Sequence, residues 1–279
     1  MNRGTPPIQR STTPTFWREA ALPYLEARRV EDGRKVCYAK HAHDTFSIGA
    51  INGGRSTYLN GTNRQHIGTG ALVVINPEDV HACNPIDDEP WSYLMLYVDV
   101  PWLTDLQREC GVNQRQGFSR FSATMTTRAD LHAGLNRLYG ILSDEHADIL
   151  QKESAARIFF GDVQLALGGT SPLPVHASHP KLARAVEFIR EHFSRSLKLD
   201  EICAAADLSS SYLIRSFKQR YGMTPHAYLI NCRIEYSRSE LKRGRAIADV
   251  AAEAGFADQA HLQRAFRQFT ATTPSRYRG

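Results

Sequence analysis

A segment near the carboxyl end of the chain occurs twice. Residues 199–228 recur at 247–277, with apolar positions that match at an offset of 48 residues and, after one insertion, of 49. The matched positions are Leu199, Ile202, Ala206, Leu208, Leu213, Phe217, Thr224, Pro225 and Tyr228, then Ile247, Val250, Ala254, Phe256, Leu262, Phe266, Thr273, Pro274 and Tyr277. Self-similarity of this kind predicts one supersecondary unit that is folded twice.

Each copy predicts two helices separated by a tight turn. The first helix covers 199–206 or 247–254, where apolar residues recur at helical spacing. A break follows at Asp207 in one copy and at Gly255 in the other. Glycine readily adopts the left-handed conformation that ends a helix, and aspartate adopts it less easily. Helix, turn and helix in this order predict a helix-turn-helix unit.

The second helix of each copy presents a polar face that also repeats. It is expected to begin after a side-chain cap from Ser209 or Asp258. With the matched apolar residues inward, a helical period turns Ser211, Arg215, Lys218 and Gln219 outward in one copy and Ala260, His261, Arg264, Arg267 and Gln268 in the other. Arg and Gln can bond base edges, and Lys and Arg neutralise phosphate. A solvated surface is the alternative, but repetition of the face in register favours DNA.

A third helix is predicted between the two copies. Residues 225–243 begin with proline, which is compatible with a first helical turn. Their apolar face consists of Tyr228, Leu229, Cys232, Tyr236 and Leu241. A rigid connecting helix would fix the distance between the two recognition helices, and a spacing near one duplex turn, roughly 34 Å, would admit both to successive major grooves.

Charge is divided unevenly along the chain. Residues 181–279 contain 4 Lys and 13 Arg against 10 Asp and Glu, a net charge of +7, whereas the whole chain carries +5 and residues 1–180 therefore −2. A basic module joined to a mildly acidic one favours a polyanionic partner for the basic end, although a basic solvated surface would look the same by charge alone.

The first hundred residues predict antiparallel strands. Short runs rich in β-forming residues alternate with glycine- and asparagine-rich turns, and Asn60-Gly61 between two runs indicates a hairpin. The predicted strands are 25–30, 36–40, 46–51, 56–60, 71–75 and 93–99. Strands of this length and spacing favour a sandwich or barrel. Residues 1–20 are interpreted as a flexible arm, anchored if at all by Phe16 and Trp17.

Helical spacing replaces the strand pattern after Pro101. Two amphipathic helices, expected to be antiparallel neighbours, are predicted at 128–147 and 151–167, and the Gly- and Pro-rich residues 168–180 predict a linker. The apolar stretches are far shorter than the ~20 residues of a membrane helix. The five cysteines, Cys37, Cys83, Cys110, Cys203 and Cys232, form no close pair, which fits a reducing cytoplasm.

Residues 182–278 resemble the DNA-binding domain of the AraC/XylS family of transcription regulators. The resemblance is carried by Leu199-Asp-Glu-Ile202, Ala206-x-Leu208, Leu213-x-x-x-Phe217 and Gly222-Met-Thr-Pro225-x-x-Tyr228, then by Ile247-x-x-Val250, Ala254-Gly255-Phe256, Leu262-x-x-x-Phe266 and Thr273-Pro274-x-x-Tyr277-Arg278. It implies base contacts from Ser211, Ile214, Arg215, Gln259, Gln263 and Arg264. One departure is Ala271, where the first copy has Gly222.

The N-terminal half resembles, more weakly, the cupin-like effector-binding and dimerisation domain of the same family. Gly70–His81 and Trp91–Tyr97 carry this match. It implies a small-molecule pocket, with His41, His43, Asn52, His81, Trp91, Tyr93 and Tyr97 as the candidate effector-binding residues. The arginine that holds the sugar in the family's arabinose regulator corresponds to Asn52 here, which argues against arabinose and leaves the effector open.

Three histidines raise an alternative for the barrel. His41, His43 and His81 would suffice for an open zinc or iron site, although metal-binding cupins usually add a glutamate where this chain has only Asp44. Such a site would support a metal-dependent cupin enzyme. The other interpretation is a pocket or a hydrogen-bonded cluster without metal, and it is the one adopted: no metal, no cofactor and no catalytic residue is predicted.

These inferences together predict an α+β protein of several domains. A flexible arm (1–20) precedes a cupin-like antiparallel β-barrel with a two-helix dimerisation unit (21–167), a linker (168–180) and an all-α domain of two helix-turn-helix units joined by a helix (181–279). The predicted function is sequence-specific transcription regulation, controlled by a small effector that shifts the arrangement of domains or subunits. The expected partners are a double-stranded DNA operator, the effector, a second copy of the chain and RNA polymerase, in the cytoplasm and without membrane contact. Activation and repression, the operator and the effector remain open.

Overall fold

The computed structural model describes residues 13–34, 36–112, 117–168 and 179–279. The predicted linker (168–180) therefore lies outside the described residues except at its ends, as do residues 1–12 of the predicted arm. The described strands are β1 (Thr15–Arg18), β2 (Leu25–Val30), β3 (Phe46–Gly53), β4 (Arg55–Asn60), β5 (Asn63–Gly68), β6 (Leu72–Ile75), β7 (His81–Pro85), β8 (Ser92–Val98) and β9 (Met125–Thr126).

Ten helices occur in the same described ranges. Three lie before the predicted linker, and seven begin at its last residue or later. They are α1 (Val100–Glu109), α2 (Ala129–Leu142), α3 (Ile149–Leu167), α4 (Pro180–His192), α5 (Leu199–Ala206), α6 (Ser210–Tyr221), α7 (Pro225–Lys242), α8 (Ile247–Glu253), α9 (Gln259–Thr270) and α10 (Pro274–Arg278). The predicted α+β class, with antiparallel strands first and helices last, is confirmed.

The strands form two antiparallel sheets. One has the order β1-β2-β8-β3-β6-β9 and the other the order β5-β4-β7. Because side chains alternate along a strand, the larger sheet has two different faces. One face packs against α1, α2 and α3 through Ile48, Leu96 and their neighbours. The other face, with Ile51 and Tyr93, encloses an interior together with the smaller sheet.

Several predicted strand boundaries need correction. Residues 36–40 form no strand in the described chain, because Tyr38 bonds to the Asn84 side chain instead of a strand backbone and the Ala39 amide donates to the carbonyl of Gln268 on α9. The hairpin of β4 and β5 is present, but its loop is Gly61-Thr62 rather than Asn60-Gly61, since Asn60 pairs with Asn63. Residues Thr15–Arg18 of the predicted flexible arm are paired with β2.

Helices α2 and α3 correspond to the two helices predicted after Pro101. They begin and end at 129–142 and 149–167, close to the predicted 128–147 and 151–167. Asp148 caps α3, since its side chain accepts a hydrogen bond from the Gln151 amide. The strand β7 and the helices α1 and α4 were not individually predicted. Strand β7 (HACNP) is short and polar, so it has no alternating pattern to detect.

The two helix-turn-helix copies form two separate hydrophobic clusters. Leu213 and Phe217 are buried in the first cluster with Ile202 and Tyr228, and the matched residues of the second copy are buried in the same way. The Phe217 and Tyr228 rings meet edge to face at 5.5 Å, and the equivalent Phe266 and Tyr277 rings at 5.3 Å. The repeat therefore specifies the same packing twice.

The ends of these helices follow the repeat with one exception. Asp207 and Gly255 both adopt left-handed conformations, with φ of 52° and 78°, and so do Gly222 and Ala271, with φ of 69° and 52°. Asp258 caps α9 by accepting a hydrogen bond from the His261 amide at 2.6 Å. Ser209 lies at the equivalent position but its side chain makes no cap hydrogen bond, so the predicted first cap is wrong.

Across the described ranges, none of the helices combines the length and apolar character that a bilayer crossing requires.

Candidate functional site

The two recognition helices, α6 and α9, present the polar faces that the repeat predicted. Burial of Leu213 and Phe217 on one helix, and of Leu262 and Phe266 on the other, fixes their rotation. Nine of the ten candidate DNA-binding residues are exposed: Ser211, Ile214, Arg215, Lys218, Gln219, Gln259, Gln263, Arg264 and Arg267. The tenth, His261, is half-buried because its ring packs edge to face on Phe256 at 5.2 Å.

Helix α7 packs against both helix-turn-helix units, and hydrogen bonds tie it to the side of the first unit. The Arg233 guanidinium, buried on α7, donates to the carbonyls of Phe193 and Arg195 at 2.8 and 2.9 Å. Arg190 of α4 donates to the Tyr228 hydroxyl at 2.8 Å. The connecting helix is therefore fixed by hydrogen bonds as well as by apolar packing, and exposed cationic faces lie on the units at both of its ends.

A cavity of about 30 Å³ lies between the two sheets. Its wall is largely aromatic and aliphatic, and it includes five of the seven candidate effector residues. We call it the barrel cavity, and it is lined by Tyr38, His41, Gly49, Ile51, Val73, Ile75, His81, Cys83, Trp91, Tyr93, Met95 and Tyr97. At this volume it holds about two water molecules, so a larger ligand requires the wall to move.

Asn52 does not belong to this cavity. Its side chain is exposed and exchanges hydrogen bonds with the Asn136 side chain at 2.8 and 3.0 Å. Alternation along β3 explains the error, because Ile51 faces the interior and Asn52 therefore faces outward. Asn52, which corresponds to the sugar-binding arginine of the arabinose regulator, thus lies outside the barrel cavity.

The three histidines do come together at the mouth of the barrel. Ring centroids are 4.3 Å apart for His41 and His81, and 4.8 Å apart for His43 and His81. Burial lowers the pKa of all three, that of His81 to about 4, so the imidazoles are neutral at physiological pH. Each Nδ1 lies within 2.8–2.9 Å of a backbone carbonyl, of Ala39, Thr45 and Asp79 respectively.

These backbone contacts fix the tautomer of the histidines. A carbonyl only accepts, so Nδ1 carries the hydrogen and Nε2 is left as the acceptor. The His43 Nε2 already lies 3.2 Å from the Ser47 hydroxyl. In the described part of the chain, no group of three His, Cys, Asp or Glu side chains has the arrangement of a metal site.

A second cavity, of about 20 Å³, lies where the strands meet the C-terminal helices. We call the contact between strands β1–β8 and helices α4–α10 the seam, and this space the seam cavity. Its wall comes from both sides and shares Tyr38, His41 and Tyr97 with the barrel cavity: the remainder is Phe16, Glu26, Arg28, His43, Glu235, Arg238, Phe269, Thr270 and Tyr277. Phe269 and Thr270 belong to recognition helix α9.

Charged groups are concentrated around the seam cavity. Glu26 lies 2.6 Å from Lys242 Nζ and 3.0 Å from Arg18 Nε. Burial acts to raise the pKa of Glu26, but the Lys242, Arg238 and Arg18 cations outweigh it and hold the pKa below its usual value. Glu235 pairs with Arg238 at 3.0 Å, and burial raises the pKa of Glu235.

Hydrogen bonds to backbone groups complete the seam. Asn231 of α7 makes two of them with the backbone of Ala42, at 3.0 and 2.8 Å, and Arg18 donates to the Tyr277 carbonyl at 2.7 Å. The Ala39 amide bonds to α9 at 2.8 Å. Strand β1 and the segment between β2 and β3 therefore contact the connecting helix and the second helix-turn-helix unit directly.

Sequence reasoning missed the residues that bring charge to the cavities. Arg28 and Glu26 lie on β2 among Leu25, Ala27 and Val30, and their alternation with apolar residues looks like an ordinary half-exposed strand. Tyr38 lies in a segment predicted as a strand. Arg238 lies on α7, where the helical pattern assigns it to a polar face. The available signal was that Glu26 and Arg28 share one face of β2, opposite the face that carries Leu25 and Ala27.

Comparison with known proteins gives two family matches that follow one another along the chain. Residues 23–159 match the AraC-like ligand binding domain, and residues 202–279 match a helix-turn-helix domain. The uncharacterised HTH-type transcriptional regulator YbfI of Bacillus subtilis (strain 168) is 28% identical over 86% of each chain. The raffinose operon transcriptional regulatory protein RafR of Pediococcus pentosaceus is 20% identical over 88% of this chain and 91% of its own.

Solved structures of ToxT from Vibrio cholerae share the fold over nearly the whole chain. ToxT from strain O395 has a TM-score of 0.56 and 12% sequence identity over 95% of this chain and 96% of its own. Wild-type ToxT from strain SCE256, bound to an unsaturated fatty acid, has a TM-score of 0.56 and 16% identity over 97% of this chain and 96% of its own. At these identities the likeness concerns the fold alone.

Proposed function

Since the chain belongs to the AraC/XylS family and is a DNA-binding transcription regulator with an AraC-like ligand binding domain, we propose which residues carry these two activities. The observation that supports the assignment best is the pair of recognition helices, α6 and α9, whose exposed faces repeat the same residue types in register. In this proposal both helices enter the major groove of one operator, with α7 setting their separation.

Base and phosphate contacts are divided along each helix. Ser211, Ile214 and Arg215 of α6 read bases, and so do Gln259, Gln263 and Arg264 of α9. Lys218, Gln219, His261 and Arg267 add contacts at the edges of these faces, where cations neutralise phosphate. The net charge of +7 over residues 181–279 supports this use of the C-terminal helices.

The effector binds in the barrel cavity, with His41, His81, Trp91, Tyr93 and Tyr97 around it and His43 in the adjoining seam cavity. Its signal passes to DNA through the seam. The seam cavity supports this route, because its wall contains strand residues together with Arg238 of α7 and Phe269 of α9. A ligand that widens the cavities changes the contact between the strands and the second helix-turn-helix unit, and so favours one arrangement of the recognition helices.

The domain division follows from the same proposal. Residues 21–167 hold the effector and the dimer contact, residues 168–180 link the two parts, and residues 181–279 bind DNA. An apolar stripe on α3 supports a homodimer: Leu150, Ile158 and Leu165 are 73%, 66% and 80% exposed. Exposed aliphatic residues along one helix face are typical of a protein–protein contact. Contact with RNA polymerase stays a prediction.

We assign no catalytic role to any residue, and place the protein in the cytoplasm with its operator. We assign the histidine cluster to ligand contact, because its Nδ1 bonds leave Nε2 as an acceptor and, within the described residues, no three His, Cys, Asp or Glu side chains have the arrangement of a metal site. Metal analysis of the purified protein tests this point. Stoichiometric iron or zinc would favour an enzyme of the cupin type instead.

Genome-wide footprinting with the purified full-length protein tests the proposed function. Protection of a small number of sites, each with two half-sites spaced by about one duplex turn, is the expected result. The genes beside those sites would also indicate the effector class. Uniform protection that depends only on salt would contradict sequence-specific regulation.

A further inference from the structure

Arg28 is a buried cation with unmet hydrogen-bonding capacity. Its side chain lines the seam cavity and the residue is only 3% exposed. Its Nε and Nη2 atoms are buried, and within the described residues neither has a hydrogen-bond partner. Burial of an unpaired charge is strongly unfavourable, so a protein retains one where a ligand supplies the partner.

The contacts that Arg28 does make leave its donors unused. The guanidinium lies over the rings of Phe16 and Tyr38, at 5.5 and 5.2 Å from their centroids. Ring faces interact with the plane of a guanidinium, whereas the N–H bonds lie in that plane. Nε and Nη2 form one edge of the group and donate in parallel, which matches the two oxygens of a carboxylate.

The acids of the seam cavity are already paired elsewhere. Glu26 is held by Lys242 and Arg18, and Glu235 is held by Arg238. Four cations, Arg28 included, thus face two carboxylates around this cavity. The positive surplus is concentrated on Arg28, because it alone among these four makes no ion pair in the described chain.

We propose that Arg28 anchors the effector and that the effector is a small carboxylic acid. The inference rests on the proposed function, since the acid would be the effector that controls DNA binding. The carboxylate pairs with the Nε and Nη2 edge in the seam cavity. The rest of the molecule extends past Tyr38 and Tyr97, which both cavities share, toward apolar wall residues such as Ile51, Val73 and Met95.

The size of the cavities limits the acid. Together they hold only a few water molecules, at about 30 and 20 Å³. A short acid with an apolar chain therefore fits with little movement of the wall, and a longer one must push the strands and the C-terminal helices apart.

Thermal unfolding of the full-length protein tests the proposal. Sodium chloride is replaced by sodium acetate or sodium butyrate at constant ionic strength, and acetamide and butyramide serve as uncharged analogues. We expect the carboxylates to raise the Tm of the wild type by about 2–4 °C and the amides to leave it unchanged. Arg28→Met should abolish the rise and, in chloride, should itself unfold at a higher temperature because the unpaired charge is gone.

Arg29→Met is the matched control, because Arg29 is the next residue on β2 but is exposed and pairs with Glu31. It should keep the full response to carboxylates. Arg28→Lys preserves the charge without the paired donors and should respond less than the wild type, which covers the case in which Arg28→Met does not fold.

Three results would overturn the proposal: no rise with either carboxylate in the wild type, an equal rise with the amides, or an equal rise in Arg28→Met. A rise of the same size with inorganic phosphate would overturn the assignment to carboxylates. Footprinting of the wild type without any added acid tests the proposed function separately. Protected operator sites there would support DNA binding even if the carboxylate experiment gave a negative result.

Discussion

Lys242 Nζ lies 2.6 Å from Glu26 Oε2, and this ion pair joins the connecting helix α7 to strand β2. Glu26 is almost fully buried and also accepts a hydrogen bond from Arg18 Nε at 3.0 Å. The charge of one carboxylate therefore stabilises the contact between the strands and the DNA-binding helices. That contact is the seam through which an effector would act.

Glu26→Gln is expected to destabilise the protein by about 1.5–3 kcal/mol at pH 7, because it removes charged hydrogen bonds from a buried site. Chemical denaturation measures the free energy of unfolding. The folded pKa of Glu26 lies below its usual value of 4.5, so its contribution is fully present above that pH and is lost as pH falls through the folded pKa. The difference between wild type and variant should therefore shrink below about pH 4.5.

Glu31→Gln is the control for this prediction. Glu31 is exposed and pairs with Arg29 at 3.3 Å on the solvent side, so its loss should cost less than about 1 kcal/mol. A cost for Glu26→Gln that is equally small, or that does not change with pH, would show that the Glu26 ion pairs do not stabilise the seam.

Arg215→Ala and Arg264→Ala should each weaken operator binding by about 1–3 kcal/mol and relax base preference at one position, because both side chains are exposed at matched positions of α6 and α9. Titration of labelled operator DNA and of single-base variants measures both effects. Arg64→Ala, which removes an exposed cation from strand β5, should bind as the wild type does. Wild-type affinity and preference in both recognition variants would rule out these faces.

Gly255→Ala should cost about 3 kcal/mol or more of folding stability. The residue has a φ of 78°, and an added Cβ would lie 2.4 Å from the Ser194 carbonyl oxygen, so the backbone must shift in addition to accepting the strained conformation. Gly244→Ala is matched in φ, at 81°, but has open space around it. It should cost only about 1–2 kcal/mol. Equal losses of stability in Gly255→Ala and Gly244→Ala, measured by thermal or chemical unfolding, would mean that the contact with Ser194 does not destabilise the Gly255 variant.

The two helix caps should respond differently to the same substitution. Asp258→Ala removes the hydrogen bond to the His261 amide and should cost about 1 kcal/mol. Ser209→Ala should cost almost nothing, because the Ser209 side chain makes no cap bond. Chemical denaturation of both variants measures the difference, and a larger loss for Ser209→Ala would contradict the cap geometry.

Ile158→Glu should dissociate the proposed homodimer, since it places a charge in the exposed apolar stripe of α3. Sedimentation velocity measures the change in molecular mass. Thr62→Glu adds the same charge at an exposed position in the β4–β5 loop, away from α3, and should leave the dimer intact. A monomeric wild type, or a dimer that tolerates Ile158→Glu, would exclude α3 as the contact.

Most of the fold could be predicted from local patterns. The apolar repeat gave both helix-turn-helix units, and burial of Leu213 and Leu262 then fixed which residues face outward. The strand pattern identified β2, β3, β4, β6 and β8 but failed for residues 36–40, whose Ala39 amide pairs with Gln268 far away in the sequence. A local sequence pattern contains no information about a hydrogen-bond partner so far away in the chain.

The candidate cavity was predicted only in part. The residues that line it as predicted are His41, His81, Trp91, Tyr93 and Tyr97. Asn52 does not line it, because the next residue along a strand points to the opposite face of the sheet from Ile51. Arg28 was missed since its lack of a hydrogen-bond partner depends on what every neighbouring element brings to the site.

The amino-acid order alone determined the periodic features: two copies of one helical unit, the cationic faces that each copy turns to solvent, and the antiparallel strands before them. Such features depend on residues two to eight positions apart, which the chain brings together by its own backbone geometry. The tertiary structure decided the seam. Glu26 meets Lys242, and Arg28 is left without a partner, only because strands and helices more than two hundred residues apart pack against each other and exclude water from the charges between them.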